Sequence, residues 1–240
     1  MSKRLLAVLL AACALALSLT ACGGKLPDYE YSIDMNEYKD AITTRDSAYL
    51  VLVNKQNPVG SEYVPAKLST LPSALTLFGK EIQLEAKAAL AAEAMVREMR
   101  AQGYTDICIT SGYRSYEYQQ TLFNYYVGQE AGKHPGWTQE QCRAEVLTYS
   151  AYPGESEHQS GLCMDLISSK NTVLDESFAA NPAYAWLLEN AHYFGFILRY
   201  PKGDESITGY SFEPWHYRFV GSDAAAKIRE QGITLEEYLD

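Results

Sequence analysis

The stretch SEHQSGLCMDLI, residues 156–167, joins a polar segment to an apolar one in the middle of the chain. From Gly161 to Ile167 it is apolar except for Asp165, which predicts a buried strand. A carboxylate inside such a strand loses its hydration, so it needs a charged or hydrogen-bonding partner. His158 lies seven residues before this carboxylate, and in one uninterrupted strand an odd separation places two side chains on opposite faces. The two can share a site only if the chain bends between them, and Gly161 permits a bend.

A second polar cluster, FEPWHY at residues 212–217, places Glu213 three residues before His216. The proline between them blocks a regular helix or a central strand, so an extended turn can direct both side chains to one place. Taken alone, the segment is typical of a loop with a surface glutamate and a half-buried histidine. Together with His158 and Asp165, it completes a recognised ligand set for catalytic zinc, two imidazoles and one carboxylate. A carboxylate that is not a ligand must then act as the general base, and Glu213 is available for that task.

The rest of the chain mixes helices and strands without a regular βαβ alternation. Apolar periodicity predicts helices over residues 81–102, 116–127, 139–149 and 182–194. Short apolar and β-branched runs predict strands over residues 49–53, 107–110, 161–167, 196–200 and 217–220, and residues 128–138 are expected to form a loop. This mixture favours the α+β class, with a small, mainly antiparallel sheet flanked by helices.

Composition bounds the kind of protein. The 240 residues are enough for one well-cored domain, and 47% hydrophobic with 21% charged residues is typical of a globular chain. The net charge of −10 and the lack of a basic stripe argue against a nucleic-acid partner. The S-x-x-K, G-x-S-x-G and H-E-x-x-H motifs are absent, so the corresponding serine and zinc hydrolases are not indicated.

The first residues have the pattern of a secretory signal. A basic head at residues 1–4 precedes an apolar run over residues 5–21. The run ends in Leu-Thr-Ala-Cys, which resembles a bacterial lipobox, so Cys22 is predicted to carry lipid. The alternative is a plain transmembrane anchor, since 17 apolar residues lie near the lower limit for spanning a bilayer. We therefore expect a signal peptide over residues 1–21, a lipid-anchored tether over 22–47 and the domain over 48–240, outside the cytoplasm on a bacterial membrane.

Three further cysteines would remain in the mature protein: Cys108, Cys142 and Cys163. They permit one disulfide and one free thiol, and the sequence does not choose the pair. Cys163 lies close to His158 in sequence, so a cysteine peptidase is one hypothesis. Its position inside an apolar strand argues against that role, because such a setting should raise the pKa of the thiol and keep it inert.

Three motifs, in this order, resemble those of the VanY-type D-alanyl-D-alanine carboxypeptidases. They are SGYRS at residues 111–115, SEHQSG at 156–161 with Asp165, and EPWH at 213–216. These enzymes are zinc peptidases that share a fold with the hedgehog amino-terminal domain. The resemblance extends over roughly residues 49–221 and implies that fold. Cys163 stands where the family more often has a small apolar residue.

The resemblance also implies a role for each motif position. It implies that Zn²⁺ is held by His158, Asp165 and His216 and that Glu213 is the general base. It implies that Arg114 holds the substrate near its reacting carbonyl or its terminal carboxylate, since a guanidinium can bind either through two bonds. By the same likeness, Gln119 and Ser156 are expected near the terminal D-residue. Arg199, outside these motifs, is interpreted either as a structural ion-pair partner or as a substrate contact.

The function that follows is zinc-dependent removal of the terminal D-alanine from peptidoglycan stem peptides. An L,D-carboxypeptidase acting on tetrapeptide stems uses the same catalytic set, so these motifs do not separate the two activities. A non-catalytic, wall-binding lipoprotein with a structural metal is a further alternative. Glu213 argues against it, because a structural metal site has no need of a base.

Overall fold

The computed structural model describes residues 24–240 of the chain. The predicted signal peptide and the lipidation site at Cys22 lie outside the described residues. Within residues 24–240, no helix combines the length and the apolar character that crossing a membrane requires.

The strands form two separate antiparallel units. β1 pairs with β2, and the other four strands form one sheet in the order β3-β4-β6-β5. The predicted α+β class with a small antiparallel sheet is confirmed. In chain order the strands are β1 (Leu68–Thr70), β2 (Gln83–Glu85), β3 (Ile107–Ser111), β4 (Cys163–Ser168), β5 (Phe196–Leu198) and β6 (His216–Phe219).

Helices flank this sheet, and 3₁₀ turns connect several of the elements. The 3₁₀ turns are Ser47–Leu50, Ser73–Leu75, Leu77–Gly79, Glu157–Ser160, Glu176–Ala180 and Ala191–Phe194. The α-helices are α1 (Lys39–Ile42), α2 (Ala86–Ala101), α3 (Tyr116–Lys133), α4 (Gln139–Val146), α5 (Pro182–Asn190), α6 (Glu205–Thr208), α7 (Ser222–Gln231) and α8 (Leu235–Leu239).

The main core joins α2 to one face of the four-stranded sheet. Met95 and Met99 of α2 are fully buried in one cluster with Met164 and Leu166 of β4. Because side chains alternate along a strand, Asp165, which lies between Met164 and Leu166, projects from the opposite face of the sheet. The core thus fixes which side of the sheet can carry polar chemistry.

The strand predicted over residues 49–53 is wrong. Ser47–Leu50 forms a 3₁₀ turn, and the residues after it make no strand ladder. The reason is a side chain from β6: Arg218 Nη2 donates to the carbonyl oxygens of Tyr49 and Val51, at 3.0 and 2.7 Å. A guanidinium thus takes the acceptors that a neighbouring strand would otherwise use.

Two helix boundaries also differ from the prediction. Residues 83–85 pair with β1, so α2 begins only at Ala86, where the Glu85 side chain caps the backbone N–H groups of Lys87 and Ala88. The helix predicted over residues 116–127 continues to Lys133 through two glycines. Its extra turns pack against α4 through Ala131, which contacts the buried cluster that includes Val127 and Cys142.

The segment before the domain is packed rather than free, which differs from the tether expected over residues 22–47. Met35, Tyr38 and Ile42 are buried in the main core. The backbone N–H of Ser32 donates to the fully buried carboxylate of Glu98 on α2, at 2.9 Å. The expected tether is therefore largely a part of the folded body.

The disulfide that three cysteines would permit is not formed within the described residues. Cys108, Cys142 and Cys163 are all buried and all have free thiols. They lie in different parts of the fold, with Cys108 on β3, Cys142 on α4 and Cys163 on β4.

Candidate active site and metal centre

The chain bends at Gly161, as the spacing of His158 and Asp165 requires. Glu157–Ser160 forms a 3₁₀ turn that ends at Gly161 in the left-handed conformation, with φ of 68°. A Cβ at this position would also lie 3.0 Å from Pro65 Cγ and 3.1 Å from the backbone N of Glu85, so glycine fits best here. The bend brings His158 Nε2 to 3.3 Å from Asp165 Oδ2.

The β4–β6 register brings in the other two residues. Asp165 lies opposite His216 in the antiparallel ladder, and His216 Nδ1 is 3.1 Å from Asp165 Oδ1. Glu213 precedes β6, and its Oε2 lies 3.6 Å from His216 Nδ1. The structure therefore brings His158, Asp165, His216 and Glu213 together at one place, as the sequence predicted.

Each imidazole is anchored through the ring nitrogen that points away from the site. His158 Nδ1 donates to the carbonyl oxygen of Gly112 at 2.7 Å, and His216 Nε2 donates to the carboxylate of Glu157 at 3.1 Å. His158 Nε2 and His216 Nδ1 thus face the two oxygens of Asp165. These two nitrogens and the carboxylate converge as the protein ligands of one metal ion do. An anchored outer nitrogen is also the usual arrangement of metal-binding histidines.

The donor set fits Zn²⁺. Two imidazole nitrogens and a carboxylate are the ligands that catalytic zinc uses, with one position left for water. Asp165 is the negative charge of the set. Burial alone would raise the pKa of its carboxyl group, but His158 and His216 outweigh burial and hold that pKa well below its usual range.

Glu157 is a site residue that the sequence analysis missed. Its Oε1 accepts from Arg199 Nε at 2.8 Å and from Arg218 Nη1 at 2.6 Å, and all three side chains are fully buried. Burial raises the pKa of Glu157, but the two guanidinium groups outweigh it and hold that pKa far below the usual range. Glu157 is thus a charged acceptor that orients His216. Its partners arrive from β6 and from the end of β5, so no local pattern in the sequence indicates the role.

This ion pair also decides between the two interpretations of Arg199. Its guanidinium is fully buried between Glu157 and Glu236 of α8, at 2.8 and 2.6 Å. Arg199 is therefore a structural ion-pair partner, which was one of the two interpretations.

Arg114 reaches the site from the loop between β3 and α3. Its Nη2 donates to Asp165 Oδ2 at 3.1 Å and lies 2.8 Å from His158 Nε2. Gln119 accepts from Arg114 Nη1 at 3.2 Å and donates to the Ala151 carbonyl at 2.8 Å. Gln119 thus positions Arg114 from behind and does not line the cavity, whereas Ser156 does line it.

A cavity of about 350 Å³ opens over these residues. Glu213 lies in its wall, and burial raises the pKa of this carboxyl group to about 7. Aromatic side chains form part of its walls, beside the polar site residues. The aromatic lining residues are Tyr126, Tyr149, Tyr200, Tyr210, Phe212 and Trp215.

Comparison with known proteins identifies the family. The family model described as "VanY: D-alanyl-D-alanine carboxypeptidase" matches residues 81–222, a span that contains all four converging site residues. The chain belongs to the VanY family. The D-alanyl-D-alanine carboxypeptidase of Enterococcus faecalis is 41% identical over 191 residues, which cover 80% of this chain and 65% of that relative. The chain thus spans just under two thirds of the length of this VanY relative.

Solved structures agree with the family. A structure of the LD-carboxypeptidase LdcB has a TM-score of 0.70 and 37% identity, covering 82% of this chain and 88% of that one. A mutant of the vancomycin resistance D,D-pentapeptidase VanY in complex with Zn(II) has a TM-score of 0.67 and 38% identity, covering 80% of this chain and 99% of that one. VanYB in complex with D-alanine-D-alanine has a TM-score of 0.66 and 39% identity, covering 80% of this chain and 97% of that one. The fold is therefore that of the hedgehog-like DD- and LD-peptidases.

Cys163 is the feature of this VanY-family site that departs from expectation. Its thiol faces the two imidazoles, and its ligand atom and theirs all lie within 4.8 Å of one another. Burial raises the pKa of the thiol, but the charge that His158 and His216 carry when protonated outweighs burial and lowers that pKa. The expectation of a raised thiol pKa is therefore wrong, because β4 presents Cys163 to the polar face and not to the core.

Proposed function

We propose that this chain is a zinc-dependent carboxypeptidase that removes the terminal D-alanine from peptidoglycan stem peptides. The observation that carries the proposal is the convergence of His158, Asp165 and His216 with the free carboxylate of Glu213 on one cavity. Three protein ligands beside a separate carboxylate support hydrolysis over a purely structural metal site. The activity in the names of the E. faecalis relative and of VanY supports the same reaction.

The residues have distinct roles in this reaction. His158, Asp165 and His216 would hold Zn²⁺. When bound, this ion would lower the pKa of the attacking water and polarise the scissile carbonyl. Glu213 accepts the proton of the attacking water and passes it to the leaving amine. A carboxyl group whose pKa is near 7 suits this exchange, because it can both take and return a proton near neutral pH.

Arg114 binds the negative charge of the substrate. Its guanidinium lies at the cavity floor beside Asp165 and is steadied by Gln119. From that position it can donate two hydrogen bonds to the terminal carboxylate or to the oxygen on which charge develops. The aromatic side chains of the cavity wall lower the local polarity around a bound substrate, which strengthens these contacts.

Removal of D-alanine from tetrapeptide stems is the second candidate activity. The likeness to LdcB, an LD-carboxypeptidase, favours it as directly as the likeness to VanY favours the first. Both activities use the same catalytic set, so the choice between them depends on the cavity wall that meets the residue before the cleaved bond.

One experiment tests the proposal and separates the two activities. The purified domain is offered a muramyl pentapeptide or a muramyl tetrapeptide, with and without a chelator, and released D-alanine is measured. We expect release from one or both substrates, lost with chelator and restored by Zn²⁺. Release that persists with chelator would contradict the zinc assignment. No release from either substrate would instead support the wall-binding alternative.

We also propose that the mature protein is anchored to the bacterial membrane by lipid on Cys22. The basic head, the apolar run and the Leu-Thr-Ala-Cys ending support this proposal. The full chain should incorporate a labelled fatty acid, and the Cys22→Ala variant should not incorporate it and should keep the apolar run over residues 5–21 uncleaved. Absence of the label from the unaltered chain would favour a transmembrane anchor.

A further inference from the structure

Cys163 is fully buried and projects from the same face of β4 as Asp165. The two residues are separated by one position, and side chains two apart on a strand share a face. The ladder partners on β6 are Arg218 for Cys163 and His216 for Asp165. The thiol is therefore one ladder step from the imidazole of His216, on the polar side of the sheet.

The position and surroundings of the thiol point to a role as a ligand. The ligand atoms of His158, Cys163 and His216 all lie within 4.8 Å of one another, and all three residues are buried. Zinc–ligand bonds are about 2.0–2.3 Å long, so two ligand atoms on one zinc ion lie no more than about 4.6 Å apart. Side-chain movements of about 1 Å or less would therefore bring this cluster to bonding distances.

Arg218, the ladder partner of Cys163, is engaged elsewhere. Its guanidinium donates to Glu157 and to the carbonyl oxygens of Tyr49 and Val51. These contacts direct the Arg218 guanidinium toward Glu157 and the backbone carbonyl groups, and not toward the thiol of Cys163. The two imidazoles are thus the groups of the site with which the thiol is clustered.

We propose that Cys163 is a further ligand of the metal, so that this chain binds its metal through two imidazoles, one carboxylate and one thiolate. The inference rests on the metal site of the proposed function and adds a fourth protein ligand to it. The thiol loses its proton to solvent as the metal–sulfur bond forms, because the thiolate is the form that binds metal. Catalytic zinc can expand to five ligands, so a thiolate ligand would still leave a position for the attacking water.

A thiolate changes which metals the site prefers. Thiolate is a soft ligand that selects zinc and other thiophilic ions over magnesium, calcium and manganese. The anionic sulfur also strengthens binding. Removing it should weaken Zn²⁺ binding at least as much as the loss of an outer-shell partner, about 10–100-fold.

The test uses Co²⁺ as a spectroscopic substitute for Zn²⁺ in the metal-depleted protein. A cobalt–thiolate bond gives a charge-transfer absorption in the near ultraviolet that imidazole and carboxylate ligands do not give. We expect this band in the unaltered protein at one equivalent of Co²⁺. We expect Cys163→Ala and Cys163→Ser to bind Co²⁺ without the band, and to bind Zn²⁺ about 10–100-fold more weakly in a chelator competition.

Cys142→Ala is the matched control, because Cys142 is an equally buried free thiol in the separate cluster between α3 and α4. It should keep both the band and the affinity. One equivalent of bound Co²⁺ without the band in the unaltered protein would overturn this inference and leave the proposed function intact. A protein that binds neither Co²⁺ nor Zn²⁺ would overturn both. The spectrum of the unaltered protein decides the matter even if a Cys163 variant fails to fold.

Discussion

Glu157 shows how one buried carboxylate can serve both the fold and the chemistry. One of its oxygens pairs with Arg199 and Arg218, and the other accepts the Nε2 proton of His216. The ion pair holds the carboxylate charged, and the charged carboxylate keeps His216 in the tautomer that turns Nδ1 toward Asp165. The orientation of a site residue thus depends on an ion pair that substrate need not touch.

Replacing Glu157 with glutamine keeps the shape of the side chain but leaves the two guanidinium groups without their shared counter-charge. We expect the free energy of unfolding to fall by about 3–5 kcal/mol. We expect Zn²⁺ affinity to fall about 10–100-fold, because His216 loses its charged anchor. Glu236→Gln is the control, since it weakens contacts to Arg199 and Asn54 and leaves His216 untouched, so it should lower stability without changing metal affinity. Chemical unfolding and chelator competition measure the two effects, and equal losses of metal affinity in both variants would contradict the anchoring role.

Glu213 gives the sharpest test of the catalytic assignment. Glu213→Gln should retain bound Zn²⁺, because His158, Asp165 and His216 are untouched. Hydrolysis should fall by about 10²–10⁴-fold, the usual contribution of a general base. Metal content and D-alanine release, measured on the same preparation, decide the point. A variant that loses its zinc would identify Glu213 as a ligand and make the assignment wrong.

Individual strands and helices show what the sequence could and could not predict. The position of β4, the bend at Gly161 and the alternation of Asp165 were predictable because each depends on neighbours in sequence. The behaviour of residues 49–53 was not, because the guanidinium that takes their carbonyl groups lies on β6, far along the chain. Cys163 was misjudged for a related reason. Its run is apolar in composition, yet the site lies on the face to which the thiol points.

The same contrast applies to the site. His158, Asp165, His216 and Glu213 lie in two short motifs whose residue types already suggest metal chemistry. The anchor at Glu157 depends on arginines that only the folded sheet brings together, so the sequence offered no signal for it. Long-range ion pairs therefore mark the limit of what local patterns predict in this chain.

The 3₁₀ turn Ala191–Phe194 contributes a pH dependence of stability away from the metal site. His192 in this turn is 9% exposed, and its Nδ1 has no hydrogen-bond partner among the described residues. Burial, with Arg229 nearby, lowers the pKa of His192 to about 4. In the unfolded chain the same imidazole takes its proton near pH 6.5. Stability should therefore decrease as the pH falls from about 6.5 to about 4, because the unfolded state binds the proton first.

His192→Gln removes this titration. Thermal unfolding of the metal-free protein across that pH range should show a shallower decline of Tm in the variant than in the unaltered protein. His134→Gln replaces an imidazole whose side chain is 41% exposed, and it serves as the control. Parallel Tm curves for His192→Gln and the unaltered protein would show that His192 does not supply the effect.

The molecule as a whole includes more of its amino-terminal segment than the sequence suggested. Residues from Met35 to Ile42 complete the core beside α2, so the folded unit begins well before residue 48. Apolar residues spaced along a tyrosine-rich, polar segment gave little periodicity, which explains why it was predicted as a tether. The burial becomes evident only when α2 supplies the surface on which the segment packs.

Ile42 tests this extension of the core, since its side chain is fully buried. Ile42→Ala should lower the free energy of unfolding by about 2–5 kcal/mol through lost burial and the resulting cavity. Val64→Ala serves as the control because Val64 is 59% exposed, and it should change stability by about 0.5 kcal/mol or less. Denaturant unfolding measures both. Equal small effects would show that the segment is not part of the cooperative unit.

The packed amino-terminal segment also limits how far the folded body can lie from Cys22. Leu26 already contacts the core, so only four peptide units separate Cys22 from the folded body. Fully extended, they span at most about 14 Å. If Cys22 carries the proposed lipid, this short segment keeps the cavity close to the membrane surface. Its substrates are then the stem peptides that come within a few nanometres of the bilayer, and lengthening the segment before Leu26 would extend that zone outward.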